Sequence, residues 1–302
     1  DDVLPFLENV LRGRNVPRER MLEVAAHYEH FDGKSPLNDQ MRDLVRKLRV
    51  ELAAHSIDLP VYWGNRNWHP LLADTVRQMA ADGVRRAVAI ATSAYSSYSG
   101  CRQYIENIAA ARATVGPSAP EIDKLPPFWN HPGFVAANAD RAAAALQQIP
   151  EDRRAECRLI FTAHSIPQAM AAQCRYEEQL VETARRVSER AAHAEWDLVW
   201  QSRSGPPSQP WLEPDILDHL RALAADGVKD AVVAPIGFLS DHMEVIYDLD
   251  YEAAHLAHEL GINLVRAETA GTHPSVIGML DELISAPFTV CAEGCCPAPR
   301  RA

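Results

Sequence analysis

The sequence has no apolar run approaching the ~18 residues that a helix needs to cross a bilayer. It also has no basic segment followed by an apolar stretch, the pattern that directs secretion. Cysteine is scarce, with 6 residues in 302, which is too few for a disulfide framework in a chain of this length. These absences predict a cytoplasmic protein without a transmembrane segment, and they leave loose association with a membrane surface open.

Basic residues are outnumbered by acidic ones. The chain has 30 Lys and Arg against 41 Asp and Glu, which gives a formal net charge of −11. A local basic patch occurs early in the chain, at Arg12, Arg14, Arg18 and Arg20. The overall balance nevertheless argues against nucleic acid as a partner, because neutralising its phosphates requires many clustered Lys and Arg side chains.

Several common catalytic signatures are absent as well. The chain contains no G-x-S-x-G, no H-E-x-x-H, no Walker A motif and no G-x-G-x-x-G. It therefore offers no nucleophile elbow, no zincin-type zinc site, no P-loop and no dinucleotide fingerprint. A site has to be sought from the chemistry of single residues and their place in the fold.

An internal repeat organises the chain. Residues 79–90 read MAADGVRRAVAI, and residues 223–234 read LAADGVKDAVVA. In each half a strand leads through a Trp-bearing loop into an amphipathic helix, which stops at Gly83 or Gly227 before a short apolar strand. Strands that alternate with helices predict an α/β fold with parallel sheets, in two similar Rossmann-like domains.

The Pro-rich stretch 126–132 marks the predicted boundary between the two domains. We expect an N-terminal α/β domain over 1–130, a C-terminal α/β domain over 131–286 and a Cys-rich tail over 287–302. Asp1 stands at what resembles the start of a helix, whereas an α/β chain usually begins with a strand. We therefore expect a further segment before it.

Polar and ionisable residues follow three of the predicted strands. They are 93–100 (SAYSSYSG), 164–167 (HSIP) and 237–244 (GFLSDHME). Ligands of open α/β sheets bind outside the carboxyl ends of the strands. The sequence thus predicts a functional site where these three ends meet.

A line of carboxylates follows the third strand end. Glu244, Asp248 and Glu252 are four residues apart, so on a helix they lie on one face, where like charges repel. A divalent cation with oxygen ligands relieves this repulsion, and a line of ligands suits a cation that moves. The alternative is an ordinary solvated acidic face on a half-buried helix, and the spacing alone leaves both open.

His164 comes directly after an apolar strand. Its imidazole titrates near neutral pH, which suits proton abstraction. A lone His at a strand end is more often a hydrogen-bonded structural residue, so this alternative also stays open. His69 and His242 are weaker candidates, because no supporting group is evident in the sequence.

Half of the cysteines lie in the last twelve residues, at Cys291, Cys295 and Cys296. A metal or iron–sulfur site needs four ligands, and Cys101 or another distant cysteine would supply the fourth. A strained disulfide and a free tail are the alternatives. The adjacency of Cys295 and Cys296 is a difficulty for the metal interpretation, since neighbouring side chains seldom face one centre.

Four long motifs follow one another along the chain: HFDGKSPLN at 30–38, TAHSIP at 162–167, WQSRSG…PWLEPD at 200–215 and FLSDHMEVIYDLDYE at 238–252. Together they resemble the signatures of the ferrochelatase family, in the same order and over nearly the whole chain. Two positions depart from the pattern, because Asp32 and Glu213 stand where the family usually has glycine.

The resemblance implies a class II chelatase fold, in which each domain has a parallel four-stranded sheet flanked by helices and a porphyrin lies between the domains. By position, His164 matches the catalytic metal ligand and proton acceptor, and Glu244 matches its partner carboxylate. Asp248 and Glu252 match the carboxylates that deliver iron. Residues matching the contacts to substrate propionates are Arg12, Tyr28, Ser35 and Tyr104. The set Cys101, Cys291, Cys295 and Cys296 resembles the ligands of a [2Fe–2S] cluster found in some members.

The function implied by the resemblance is insertion of Fe²⁺ into coproporphyrin III to form coproheme in haem biosynthesis, with a downstream enzyme of that pathway as a partner. One alternative is a ferrochelatase acting on protoporphyrin IX. Others are a non-catalytic tetrapyrrole carrier, and a cobalt or nickel chelatase for a sirohydrochlorin-like ring. The W-Q-S and S-D-H-x-E stretches argue against the last.

Overall fold

A computed structural model describes residues 2–10, 18–31, 33–206, 208–291 and 294–298. The α-helices are α1 Val3–Val10, α2 Arg18–Glu29, α3 Leu37–Ala54, α4 Leu72–Ala81, α5 Gln103–Val115, α6 Pro132–Leu146, α7 Gln168–Ala171, α8 Tyr176–Arg190, α9 Ile216–Ala225, α10 Met243–Val245, α11 Ala254–Leu260 and α12 Pro274–Ser285. The strands are β1 Arg86–Ala89, β2 Glu121–Lys124, β3 Arg158–His164, β4 Trp196–Gln201, β5 Asp230–Ala234 and β6 Asn263–Arg266. In these ranges, no helix combines the length and the apolar character needed to cross a membrane.

The second half of the chain forms a parallel sheet of four strands in the order β4-β3-β5-β6. Successive residues of the strands face opposite sides, so Phe161 packs in one core cluster and Ile160 in the other. Helices α6, α8 and α12 cover the first side, and α9 and α11 cover the second. All five residues of β5 are buried, which confirms the predicted apolar strand covered on both faces.

The sheet of the first half has two strands, β1 and β2, in the described residues, where the resemblance implied four. The strand predicted before the Trp-bearing loop of the first half corresponds to residues 61–63 (VYW), but the carbonyls of Val61 and Trp63 bind side chains instead of a neighbouring strand. The Val61 carbonyl accepts a hydrogen bond from Arg49 at 2.6 Å, and the Trp63 carbonyl accepts one from Thr75 at 2.9 Å. A strand requires continuous backbone pairing, so these side-chain partners leave the segment without a ladder. Val88 of β1 is accordingly 38% exposed.

The internal repeat is visible in both halves. Helices α4 and α9 end before Gly83 and Gly227, whose φ angles of 78° and 83° require the left-handed conformation that glycine adopts readily. After β1 and after β5 the chain forms a π-helix, over Tyr98–Arg102 and Ile246–Ala253. The sequence predicted an ordinary helix at the second position. Such wide turns are rare and often occur at functional sites.

A buried cluster joins the two halves of the chain. It contains Leu44 and Leu48 of α3, Phe134 of α6 and Ile277 of α12. Helix α12, from the end of the chain, therefore packs against α3 in the first half as well as α6 in the second. The two sheets are separate, but they are held by one continuous core.

Candidate functional site

The site lies at the carboxyl edge of the four-stranded sheet. Because its strands are parallel, β3 ends at His164 beside the end of β4 at Gln201, and the two residues are paired in register. The loop that follows β5 turns over the same edge and leads to α10. His164 and the acidic segment that begins at Glu244 are thus brought together by the topology.

Gly237 lets this loop pass close to β3. Its N–H donates to the Thr162 carbonyl at 3.0 Å, and a Cβ placed on it would lie 2.5 Å from the Cα of Ala163. No other residue type fits at that distance without moving the backbone. The glycine therefore sets the separation between the end of β3 and the segment that carries Glu244.

We expect Gly237→Ala to lower the free energy of unfolding by roughly 1–3 kcal/mol, because overpacking displaces the two backbones. Equilibrium unfolding in urea measures this change. Gly278→Ala in α12 is the matched control, since its added methyl group meets no heavy atom within 4 Å and alanine favours a helix. Equal stabilities of the Gly237→Ala variant and the wild type would contradict the close approach.

A hydrogen bond sets the proton positions on the His164 ring. Nδ1 contacts the carbonyl oxygen of Ser165, which can only accept, so Nδ1 must carry the proton. The neutral ring then presents the lone pair of Nε2, and this atom lies 3.8 Å from Oε1 of Glu244. The side chain of His164 is 30% exposed, so the ring is partly open to solvent. His164 is thereby suited to accept a proton at Nε2.

Glu244 is directed away from the core by its neighbours. Met243 and Val245 are 4% and 0% exposed, and the intervening Glu244 side chain is 56% exposed. Its other oxygen lies 3.8 Å from Nδ1 of His242, a residue that the sequence indicated only weakly. A carboxylate between two imidazoles can bind a cation and stabilise a protonated ring.

The two members of the pair shift each other's proton affinity. The surrounding protein disfavours the charged ring of His164, but pairing with Glu244 outweighs this and raises the pKa of His164. The same surroundings act to raise the pKa of Glu244, whereas His164 and then His242 lower it, to about 2. Glu244 is therefore a carboxylate throughout the neutral range, and it stabilises the imidazolium form of His164.

Asp248 continues the line from within the second π-helix. Gln201 donates to its Oδ2 at 3.2 Å, and the Ser202 hydroxyl donates to the same oxygen. Burial raises the pKa of Asp248 to about 7, with the negative charge of Glu244 adding to the effect and the hydrogen bond from Ser202 opposing it. Asp248 consequently changes its charge close to neutral pH.

Glu252 lies one further turn along. Burial raises its pKa, and so does the negative charge of Asp215. Leu249 and Ala253 of the same π-helix are buried in the core, so the acidic side chains occupy its opposite face. Among the described side chains, no three His, Cys, Asp or Glu are grouped so that they could hold one metal ion.

Helix α2 lies over this acidic segment. His27 stacks on Tyr247 with ring centroids 3.8 Å apart, and His30 contacts Tyr251 at 4.6 Å. Tyr28, between them, is half-buried, and its pKa is raised by burial and by the negative charge of Glu244. Of the four residues matched to propionate contacts, Tyr28 is thus close enough to Glu244 to respond to its charge.

The other three of these residues lie elsewhere. Tyr104 is stacked under the guanidinium of Arg66, 4.6 Å from the ring centroid. Ser35 accepts a hydrogen bond from the N–H of Leu37 at 3.4 Å, in the turn before α3. Arg12 lies outside the described residues.

Sequence reasoning missed the partners of Asp248. Gln201 is the last residue of β4 and Ser202 follows it, and both lie in the WQSRSG motif that resembles the ferrochelatase signature. The rule applied to three strand ends would have found them at the fourth, since parallel strands end at one edge. The register that places β4 next to β3 could not be read from the sequence.

The cysteines predicted to act together do lie together. The thiol of Cys101, on the first π-helix, accepts hydrogen bonds from Cys296 and Cys291, and Sγ of Cys295 lies 3.7 Å from Sγ of Cys296. Cys296 has a φ of 52°, and the two adjacent side chains lie with their sulfurs side by side. Their being neighbours in the sequence therefore does not prevent Cys295 and Cys296 from belonging to the same group of cysteines.

Cys101 is the acidic member of this group. The hydrogen bond from Cys296 lowers the pKa of Cys101 to about 6, with the charge of Lys124 adding to the effect and burial opposing it. Burial raises the pKa of Cys291 to about 11. Cys101 is therefore the thiol of this group that ionises more readily.

Comparison with known protein structures confirms the fold. SirB from Bacillus subtilis with Fe³⁺ superposes with a TM-score of 0.58 at 15% identity, over 82% of this chain and 89% of that one. At such low identity the likeness concerns the fold alone. It confirms the predicted α/β architecture of the chelatase type.

Comparison of sequences goes further. A ferrochelatase of Rhodopirellula baltica is 56% identical over 285 residues, which cover 94% of this chain and 81% of that protein. A coproporphyrin III ferrochelatase of Nocardia farcinica is 50% identical over 329 residues, covering 100% of this chain and 94% of that protein. The family model described as Ferrochelatase matches residues 1–287. The chain therefore belongs to the ferrochelatase family.

Proposed function

We propose that this protein inserts Fe²⁺ into coproporphyrin III and releases coproheme. The observation that carries the proposal is the approach of His164 to Glu244, 3.8 Å apart at the head of a line of carboxylates. The preference for coproporphyrin III rests on relatives of about half identical sequence, such as the Nocardia farcinica enzyme of that name.

His164 serves as the proton acceptor. A porphyrin loses its pyrrole protons as the metal enters, and the lone pair of Nε2 is available to take one. The carboxylate of Glu244 stabilises the resulting imidazolium. Since Glu244 remains ionised, it also offers an oxygen ligand to the incoming iron.

The iron reaches this pair along the acidic face of the second π-helix, from Glu252 to Asp248 to Glu244. Each carboxylate replaces water in the shell of Fe²⁺, which favours oxygen and imidazole ligands. Gln201 and Ser202 fix the orientation of Asp248 through one of its oxygens. The other oxygen is left for the metal.

Iron uptake should depend on pH through Asp248. Its pKa of about 7 means that the carboxylate is increasingly protonated below neutral pH, when it no longer binds Fe²⁺. We expect the KM for Fe²⁺ to rise by up to about tenfold per pH unit as the pH falls below about 7. Steady-state assays between about pH 6 and pH 8 measure this.

Asp248→Asn should have a high KM for Fe²⁺ that no longer varies over this range. Asp218→Asn, which removes an exposed carboxylate of α9, should keep the wild-type pH dependence. If the KM for Fe²⁺ of Asp248→Asn varied with pH as it does in the wild type, Asp248 would be excluded from the iron path.

The propionates of the substrate are held by Tyr28, Ser35, Tyr104 and Arg12 in this proposal. Hydroxyl groups and a guanidinium are suitable donors to carboxylates. The cation of Arg66 beside the Tyr104 ring adds positive charge at that position. Coproporphyrin carries more propionates than protoporphyrin, so a larger set of donors favours it.

The substrate is tested by assaying the anaerobic protein with Fe²⁺ and each porphyrin separately, with formation of the metal complex followed by absorbance. We expect a higher kcat/KM for coproporphyrin III than for protoporphyrin IX. A preference for protoporphyrin IX would contradict coproporphyrin III as the substrate, but it would still support iron insertion as the reaction. Tight binding of both porphyrins without formation of product would favour a non-catalytic tetrapyrrole carrier. Faster insertion of Co²⁺ or Ni²⁺ into a sirohydrochlorin-like ring would favour a cobalt or nickel chelatase.

We also propose that Cys101, Cys291, Cys295 and Cys296 hold a [2Fe–2S] cluster. The support is chemical, since Cys296 and Cys291 interact with Cys101, Sγ of Cys295 lies 3.7 Å from Sγ of Cys296, and Cys101 is acidic. When bound, such a cluster would accept one electron, and its four ligands would link the tail to the first π-helix. Iron and sulfide analysis of protein purified without oxygen tests this proposal.

The cytoplasmic location, any loose membrane association and a downstream haem-pathway enzyme as partner stay predictions from the sequence.

A further inference from the structure

Lys124 is a buried lysine beside the cysteine group. It is the last residue of β2, is 6% exposed, and stands in register with Ala89 of β1. Its Nζ donates to the Leu125 carbonyl at 2.8 Å and lies 3.5 Å from Sγ of Cys101. The amino group is thus fixed by the strand and by a carbonyl, and it is directed at the sulfur.

The surroundings of this amino group are unusual for a lysine. Lysine is almost never this buried unless a negative charge accompanies it. The neighbouring carboxylate, Asp123, pairs instead with Arg86 at 3.2 Å. In the ranges that the structure describes, the polar contacts recorded for Nζ are the Cys101 sulfur and the Leu125 carbonyl. Of these two contacts, the sulfur is the one that can carry a negative charge.

We propose that Lys124 is the counter-charge of the thiolate-bound cluster and that it raises the reduction potential of that cluster. The inference rests on the proposed [2Fe–2S] site. Four thiolates give an oxidised cluster a net negative charge, and reduction adds one more. A fixed cation stabilises the more negative form more strongly, because the attraction grows with the charge and is weakly screened in a buried place.

The position of Lys124 favours this role over simple packing. Strand β2 pairs with β1, and the chain after β1 forms the first π-helix, which carries Cys101. The N-terminus of that π-helix is fixed by Ser97, whose hydroxyl accepts from the N–H of Gly100 at 2.9 Å. Ammonium and sulfur are therefore both attached to rigid backbone, and their separation is set by the sheet.

The test compares wild type with Lys124→Gln and Lys124→Arg, purified and reconstituted without oxygen. Glutamine keeps a donor for the Leu125 carbonyl and removes the charge, whereas arginine keeps the charge. Redox titration followed by electron paramagnetic resonance gives the midpoint potential of each. We expect Lys124→Arg to match wild type. In Lys124→Gln the ratio of reduced to oxidised cluster at a given potential should fall at least tenfold, a shift of ~59 mV for one electron.

Lys34→Met, which removes an exposed lysine, is the control for loss of one positive charge and should leave the potential unchanged. Loss of the cluster from Lys124→Gln but not from Lys124→Arg also supports the counter-charge. Equal potentials in wild type and Lys124→Gln, or cluster loss from both variants, would overturn it.

If Lys124→Gln does not fold, as judged by far-UV circular dichroism, Lys124→Met takes its place. Absence of iron and sulfide from wild type would instead refute the cluster proposal, and this inference with it. Iron insertion measured on the same samples reports on the proposed enzymatic function independently.

Discussion

His164→Ala should insert iron roughly 10²–10⁴-fold more slowly than the wild type, the range expected when a positioned general base is lost. The ring is held by the Ser165 carbonyl at Nδ1, which leaves Nε2 to accept a proton, and alanine has no group that could accept it. The effect should fall on kcat, since the carboxylates that bind iron stay in place. Steady-state assays with saturating Fe²⁺ and coproporphyrin III measure it.

The fold should tolerate this change, because the His164 side chain is partly exposed at the end of its strand. Far-UV circular dichroism and thermal unfolding check this point. His55→Ala is the matched control, since His55 is an exposed histidine that pairs with Asp281 at 2.8 Å, away from the sheet edge. A His164→Ala enzyme with near-wild-type kcat would remove His164 from the chemistry.

Glu244→Gln should lower kcat/KM by about 10²-fold or more, since it removes both the partner of the imidazolium and an oxygen ligand of iron. It should also change the pH profile in a defined direction. The carboxylate raises the pKa of His164, so the neutral amide should let that pKa fall. The neutral, proton-accepting ring then persists to lower pH, and the acid limb of the residual activity should move to lower pH.

Glu259→Gln, an exposed position on α11, is the control for loss of one negative charge near the same segment. It should leave both the rate and the position of the acid limb unchanged. An acid limb of Glu244→Gln that stays where it is in wild type would mean that the two side chains are not coupled. A loss of activity without that shift would assign Glu244 to iron binding alone.

The sequence predicted the parts of the site that depend on local order. His164 ends an apolar strand, and the four-residue spacing of Glu244, Asp248 and Glu252 predicts one face of a helix; the structure has both features. The convergence of strand ends follows from parallel pairing, which the alternation of strands and helices already indicated. These features depend on neighbouring residues or on rules of topology.

Features that depend on distant partners could not be predicted. In the π-helix over Ile246–Ala253 the backbone hydrogen bonds span five residues, whereas those of an α-helix span four. The spacing of apolar residues does not reveal this difference. The contact of Ser202 with Asp248 joins the residue directly after β4 to the π-helix that follows β5. Val61–Trp63 reads as a strand because its residues favour one, but strand formation also requires a paired neighbour.

The most direct measurement is a single-turnover reaction, in which excess anaerobic enzyme with bound coproporphyrin III is mixed with Fe²⁺ and the absorbance change is followed. The account predicts rapid formation of coproheme by the wild type and a rate constant at least about 10²-fold smaller for Glu244→Gln and for His164→Ala. Equal rate constants in all three proteins would contradict the assignment of the His164–Glu244 pair as the centre of iron insertion.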